Sequence, residues 1–207
     1  AFYKFYAGEG GMRVPLIIAG ASIPQKQQHS NALTYVTDVA PTILQLTGVQ
    51  PPGPRYGGRP IEAMSGRSLL PLIHGEVARV YGEDEYIGYE LAGNAALFEG
   101  DYKIVINYGP VGDSMWHLYN IVSDPGETLD LREKMPERFA RMLEDYQAYV
   151  KANGVLPMPK DFNATRQGIY NGLHSVFGPE ILLALLTFLT LLLFYIGYRI
   201  VKRATYR

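Results

Sequence analysis

The sequence predicts an α+β fold, a small antiparallel sheet with packed helices, carrying one transmembrane helix near its C-terminal end. Three observations predict it. Four short apolar runs, 86–91, 95–98, 102–108 and 116–121, are rich in strand-forming residues and separated by turn residues. Residues 136–152 place Phe139, Met142, Leu143, Tyr146 and Tyr149 at helical spacing. Residues 181–198 read ILLALLTFLTLLLFYIGY, with no charge and no polar face.

Taken in order, residues 14–19 (VPLIIA) are a short branched apolar run next to Gly20, which predicts a buried strand. Residues 34–47 (TYVTDVAPTILQLT) carry Val36, Val39, Ile43, Leu44 and Leu46 at helical spacing, with Gly48 as the stop. Pro41 either begins that helix or kinks it. The Pro/Gly-rich stretch 50–66 predicts a connection and a boundary. The four strand runs follow as a meander, turned by Gly100-Asp101 and by residues 109–113. Residues 153–178 read as an extended linker. Gly178-Pro179-Glu180 opens the membrane helix, because Pro suits a first turn and Glu complements its dipole. The expected division is 1–50 (loop, strand, helix), 51–157 (sheet and helix), 158–178 (linker), 179–201 (membrane helix) and 202–207 (basic tail).

An anchor of this length spans roughly 30 Å of hydrocarbon at ~1.5 Å per residue. Ile181, Leu185, Phe188, Leu192, Tyr195 and Tyr198 represent its surface, with the two tyrosines at the depth where aromatic rings anchor. Arg199, Lys202, Arg203 and Arg207 follow at once. By the positive-inside rule they set the topology: C-terminus cytoplasmic, globular part extracytoplasmic, which is periplasmic for an inner membrane. Thr187 and Thr190 can bond back to their own helix.

Composition narrows the chemistry. Basic residues number 19 and acidic residues 20, with four of the basic ones in the tail, so the body is mildly acidic and no nucleic-acid partner is expected. There is no Cys, which excludes disulfides, thiolate catalysis and Cys-ligated metals. The four histidines, His29, His74, His117 and His174, lack metal spacing, and His117 is expected to be packed or hydrogen-bonded. Residues 82–85 (GEDE) form an acidic loop that is expected to be solvated. The start, AFYKFYAGEGG, has no Met and no signal-peptide pattern, so either processing or missing upstream sequence is expected.

Four segments carry a resemblance. They are Lys4 through Glu9-Gly10-Gly11-Met12-Arg13-Val14-Pro15; Thr37-Asp38-Val39-Ala40-Pro41-Thr42-Ile43-Leu44 through Gly48; Gly66-Arg67-Ser68-Leu69-Leu70-Pro71-Leu72; and Trp116-His117-Leu118-Tyr119-Asn120-Ile121 followed by Asp124-Pro125-Gly126-Glu127 and Asp130-Leu131. Together, and in this order over 1–157, they resemble the C-terminal part of an arylsulfatase of the alkaline-phosphatase-like superfamily, here truncated and joined to a transmembrane helix. In the last segment Pro125 fixes φ, Asp124 can accept from the turn backbone and Gly126 can take positive φ. Glu9 and Arg13 could pair.

The resemblance implies a sulfatase C-terminal subdomain. It also implies a formylglycine nucleophile from a Cys/Ser-x-Pro-x-Arg motif and calcium held by acidic pairs, and neither motif occurs in these residues. Lys4 alone matches a catalytic position, a sulfate-contacting lysine. No cofactor is therefore expected on this chain, calcium entering only with an N-terminal sulfatase part. The expected function is a catalytically inactive, membrane-anchored accessory or structural subunit of a larger integral-membrane protein complex. The alternative is the C-terminal fragment of an active membrane-anchored arylsulfatase. A minor third reading is a module that binds anions through Lys4 and Arg13.

Overall fold

The computed structural model describes residues 5–20, 23, 29–109, 111–159 and 162–205. They form two compact units, 1–156 and 157–207.

The first unit opens with a clamped segment and the one-turn helix α1 (Glu9–Met12). A 3-10 turn, Val36–Asp38, then leads into α2 (Val39–Thr47), which ends at Gly48 with φ 68°. Pro41 sits in the first turn of α2, where a missing N–H leaves no bond unmade, so it neither starts nor kinks the helix. The Pro/Gly stretch carries a minimal hairpin, β1 (Arg55–Tyr56) and β2 (Arg59–Pro60), and then comes α3 (Leu70–Ile73). The expected strand at 14–19 does not form: the segment is irregular, and Val14 and Ile17 are 77% and 88% exposed. A strand needs a neighbour for its backbone groups, and no described strand pairs with this run.

The sheet is an antiparallel meander, β3 (Tyr86–Leu91), β4 (Asn94–Glu99), β5 (Tyr102–Ile106) and β6 (Trp116–Asn120), in that spatial order. The α+β class is thus the observed one. Ala92 (φ 53°) and Gly93 (φ 89°) make the left-handed two-residue turn that suits a tight hairpin between β3 and β4. Between β4 and β5 the two-residue turn is Gly100-Asp101, with the positive φ (57°) at Gly100 alone.

Register assigns the faces. Leu97, Ile104 and Leu118 lie side by side, and so do Phe98, Lys103 and Tyr119 on the opposite face. The first row packs on α4 (Pro136–Asn153) through the fully buried Met142 and its neighbours Phe139, Leu143, Tyr146 and Tyr149. The second face, with Ala96, Phe98 and Val105, is covered by Ala7, Met12 and Leu33. Both faces are occupied, which is why β4 is buried along its entire length rather than at alternate residues. Gly88 of β3 is required by α4: a Cβ there would lie 2.4 Å from the Tyr149 ring.

In the second unit, α5 (Ala164–Thr205) begins seventeen residues before the uncharged run at Ile181. The linker expected up to residue 178 is therefore helical from Ala164 onward. Asn163 caps it, its Oδ1 accepting from Arg166 N at 2.8 Å. The two glycines at 168 and 172 hide that periodicity in the sequence. The helix is interrupted at Gly178, whose φ 66° and ψ 162° belong to a region that glycine alone occupies comfortably. Pro179 explains the interruption, since it disfavours helical geometry in the residue before it. Leu183–Lys202 is long and apolar enough to cross a membrane, and none of it is buried within the protein.

Gly88→Ala is expected to destabilise the first unit by about 1–3 kcal/mol through overpacking. In a Tyr149→Ala background most of that cost should vanish, a coupling that a urea double-mutant cycle would measure.

Candidate functional site

The candidate site is the set of polar contacts that hold the N-terminal segment on the sheet. Lys103, in the middle of β5, is fully buried. Its Nζ donates to Glu9 Oε1 at 3.0 Å and to Glu127 Oε1 at 2.8 Å, and it lies 5.0 Å from the centre of the Phe98 ring. Glu127 uses its second oxygen to accept from Glu9 N at 2.9 Å. A buried ammonium is costly unless paired and hydrogen-bonded, and here two carboxylates meet it. Arg13 approaches Glu9 only to 3.9 Å, so the expected Glu9–Arg13 pair is secondary to Lys103.

Around this centre the backbone is fixed residue by residue. Ala7 N donates to Asn107 Oδ1 at 2.8 Å, and Asn94 Nδ2 donates to the Phe5 carbonyl at 2.6 Å. Gly8 allows the closest approach, because a Cβ there would lie 2.9 Å from Glu127 Oε2. The turn that delivers Glu127 is built by Asp124, which accepts from Thr128 N at 2.7 Å and Leu129 N at 2.8 Å. These bonds hold the Asp124 carboxyl below its ordinary range, the Leu129 N–H contributing most. The residue with positive φ is Glu127 (φ 53°), not Gly126 as the sequence suggests. A non-glycine residue in that region costs of order 1–2 kcal/mol, which the bonds to Lys103 and Glu9 N offset.

A second lock joins α2 to residues 66–85. Asp38, fully buried, accepts from Tyr35 N at 2.7 Å and Arg67 N at 2.9 Å, and from the Tyr81 hydroxyl. Burial and that bond push the Tyr81 hydroxyl well above its ordinary range. Thr42 Oγ1 accepts from Leu69 N at 2.8 Å. Gly66 admits no side chain, since its Cβ would lie 2.0 Å from the Thr37 carbonyl oxygen. Arg67 stacks 5.0 Å from the Tyr81 ring centre and pairs with Glu85, whose carboxyl it holds down at about 2. The acidic loop is thus partly neutralised within the fold: Glu85 by Arg67, and Glu83 within 4.0 Å of Arg79.

A third contact is on β6. His117 Nδ1 lies 2.8 Å from Asp130 Oδ2, and Nε2 lies 3.0 Å from Asp113. Burial acts to lower the imidazole pKa, but the bonds to Asp113 and Asp130 outweigh it and the net shift is upward. Asp113 is lowered chiefly by that bond.

Among the described residues no group of three or more His, Asp or Glu is placed to hold a metal ion. Lys4 lies outside the described residues, one position before Phe5. Ile181, Leu185, Phe188, Leu192, Tyr195, Tyr198, Arg199, Lys202 and Arg203 all fall on α5, while Arg207 lies outside the described residues. Sequence reasoning missed Lys103 altogether, because a lysine in YKIVINY reads as solvent-facing on a one-sided strand. The signal was the burial of both faces, which only the covering N-terminal segment creates.

Lys103→Met should destabilise the first unit by about 3–5 kcal/mol in urea unfolding, because it strands the buried Glu9 carboxylate and the half-buried Glu127 carboxylate. Adding Glu9→Gln and Glu127→Gln should recover part of the loss. For His117 the raised pKa means stabilisation that is full below the ordinary value of 6.5 and lost as pH rises through the folded value. The stability gap between wild type and His117→Gln should therefore be wider near about pH 6 than near about pH 9.

Comparison with known proteins gives these locks their context. Residues 1–147 match the family model described as N-sulphoglucosamine sulphohydrolase, C-terminal. A sulfatase of Schizosaccharomyces pombe is 30% identical over 168 residues, covering 81% of this chain and 30% of the relative. Arylsulfatase K of Xenopus laevis is 29% identical over 152 residues, covering 68% of this chain and 26% of the relative. Among solved structures, a 2-O GAG sulfatase aligns with TM-score 0.41 at 20% identity, over 60% of this chain and 27% of that one. The chain thus spans under a third of the length of the curated relatives it matches. The segments that Lys103 and Asp38 tie together lie within the matched residues, and the chain belongs to the sulfatase family through the C-terminal domain of the N-sulphoglucosamine sulphohydrolase type.

Proposed function

We propose that this chain is the C-terminal module of a membrane-anchored sulfatase-type hydrolase of sulfate esters, and that its own role is to hold rather than to react. The observation that carries the reading is the Lys103–Glu9–Glu127 clamp. It fixes residues 5–13 against the sheet, and two stretches adjoin that segment in the sequence. On one side stands Lys4, the position that resembles a sulfate contact. On the other stands the run 14–17, whose Val14, Leu16 and Ile17 are exposed apolar side chains without a strand partner among the described residues. Contiguous exposed apolar groups of this kind suit a surface that meets another body.

Sulfuryl transfer needs a nucleophile, a divalent cation and positive charge against the departing oxygens. In this reading the first two, calcium included, come from the catalytic body, and Lys4 supplies part of the third. The apolar helix ties the module to the membrane. Arg199, Lys202, Arg203 and Arg207 hold the C-terminus in the cytoplasm, with the folded unit on the extracytoplasmic, in a bacterium periplasmic, side.

A second reading is the catalytically inactive accessory subunit of a larger integral-membrane complex. It is favoured by α5, whose uncharged stretch from Leu183 to Tyr198 suits lateral packing against other helices.

Immunoblotting of native membranes with an antibody to residues 136–153 separates the two. The first reading expects a polypeptide several times larger than 23.1 kDa, bearing a formylglycine. A 23.1 kDa band that co-purifies with an integral-membrane assembly would replace it with the second. The isolated 207-residue chain should not turn over 4-nitrophenyl sulfate with calcium present. In the assembled enzyme Lys4→Ala should lower kcat/KM by about 10²-fold or more.

A further inference from the structure

We propose that the first stretch of α5, residues 164–177, is an interfacial helix that lies on the lipid surface and is hinged to the spanning helix at Gly178. The inference rests on the membrane-anchored reading and adds a second contact with the bilayer to it.

Three observations carry it. The stretch is amphipathic: Ile169, Leu173 and Val176 fall at i, i+4 and i+7, on one face of a helix. All three are exposed, at 61%, 43% and 72%, with Tyr170 beside them at 55%. The opposite face carries Gln167, Asn171 and Ser175, where Gln167 Nε2 donates to Asn171 Oδ1 at 2.9 Å along the helix.

The stretch is also the wrong length to span. Fourteen residues at ~1.5 Å each reach about 21 Å, and one face is polar. Yet its last residue is followed by only Gly178, Pro179 and Glu180 before the uncharged run begins at Ile181. Its C-terminal end therefore stands at the depth where the spanning helix leaves the hydrocarbon. An apolar face held at that depth is within reach of acyl chains without any further ordering of the chain.

The hinge supplies the change of direction. Gly178 leaves helical geometry at φ 66° and ψ 162°, and Pro179 starts the next helix with φ already set. A continuous helix would carry Ile169, Leu173 and Val176 away from the membrane into water. Arg166 is in the first turn, where a long stem can follow the apolar face while the guanidinium reaches lipid phosphate. Tyr170 and His174, with ring centres 4.3 Å apart, form an aromatic edge of the kind that favours the headgroup zone.

The chain is free of cysteine, so single-cysteine spin labels can be introduced with no native cysteine to remove. The full chain would be reconstituted in vesicles of phosphatidylcholine and phosphatidylglycerol. Labels would be placed at Gln167→Cys, Ile169→Cys, Asn171→Cys, Leu173→Cys, Ser175→Cys and Val176→Cys, with Leu185→Cys and Phe188→Cys as controls. The proposal expects the ratio of oxygen to aqueous-nickel collisions to be several-fold higher at 169, 173 and 176 than at 167, 171 and 175. Uniform nickel access over 167–176, with lipid values at 185 and 188, overturns the surface helix and leaves the anchor standing. Nickel access at 185 and 188 as well overturns both. Shielding of 169, 173 and 176 from oxygen and nickel alike means that protein covers that face, and it also overturns the proposal.

Discussion

A positive charge with no access to water organises the first unit. Lys103 occupies the centre of a sheet whose neighbours are Phe98 and Tyr119, and it is tolerable there only because Glu9 and Glu127 meet it. Those two residues come from opposite ends of the matched region, 118 positions apart. Such a network contributes less to raw stability than an apolar core of the same volume, because of desolvation. Its contribution is geometric: an ammonium with two carboxylate partners admits one placement of the N-terminal segment, whereas a greasy contact would admit several.

The sequence makes the meander legible because its signals are local. Alternation, two-residue turns and the amphipathic 136–152 stretch each lie within a window of a few residues, and β3 to β6 and α4 follow them closely. What fails is non-local. The run 14–19 has strand composition but no described partner, so composition overstates its structure. Residues 164–177 have helical spacing that is diluted by Gly168 and Gly172, and the cap at Asn163 is one asparagine among several polar neighbours. The role of Lys103 depends on a segment nearly a hundred residues away, and no window sees it.

The motifs that identify the family are used here as fasteners. Glu9 belongs to the Glu-Gly-Gly run, Glu127 to the Asp-Pro-Gly-Glu turn, Asp38 to the Asp-x-x-Pro-Thr helix and Arg67 to the Gly-Arg-Ser run. Each makes its principal bond to a residue of another segment: Glu9 and Glu127 to Lys103, and Asp38 to Arg67 and Tyr81. A signature of this type reports a shared scaffold, and the chemistry of a sulfatase is a separate question from the recognition of its C-terminal fold.

The sequence distance bridged by the clamp also sets an order of events during synthesis. The segment holding Glu9 is made first, yet Glu127 leaves the ribosome only 118 residues later. At ~5–20 residues per second that interval is roughly 6–24 s. For the first 94 of those residues the nascent Glu9 carboxylate waits in water for an ammonium not yet translated. The segment around Glu9 therefore stays without its full set of partners until residue 127 has been made.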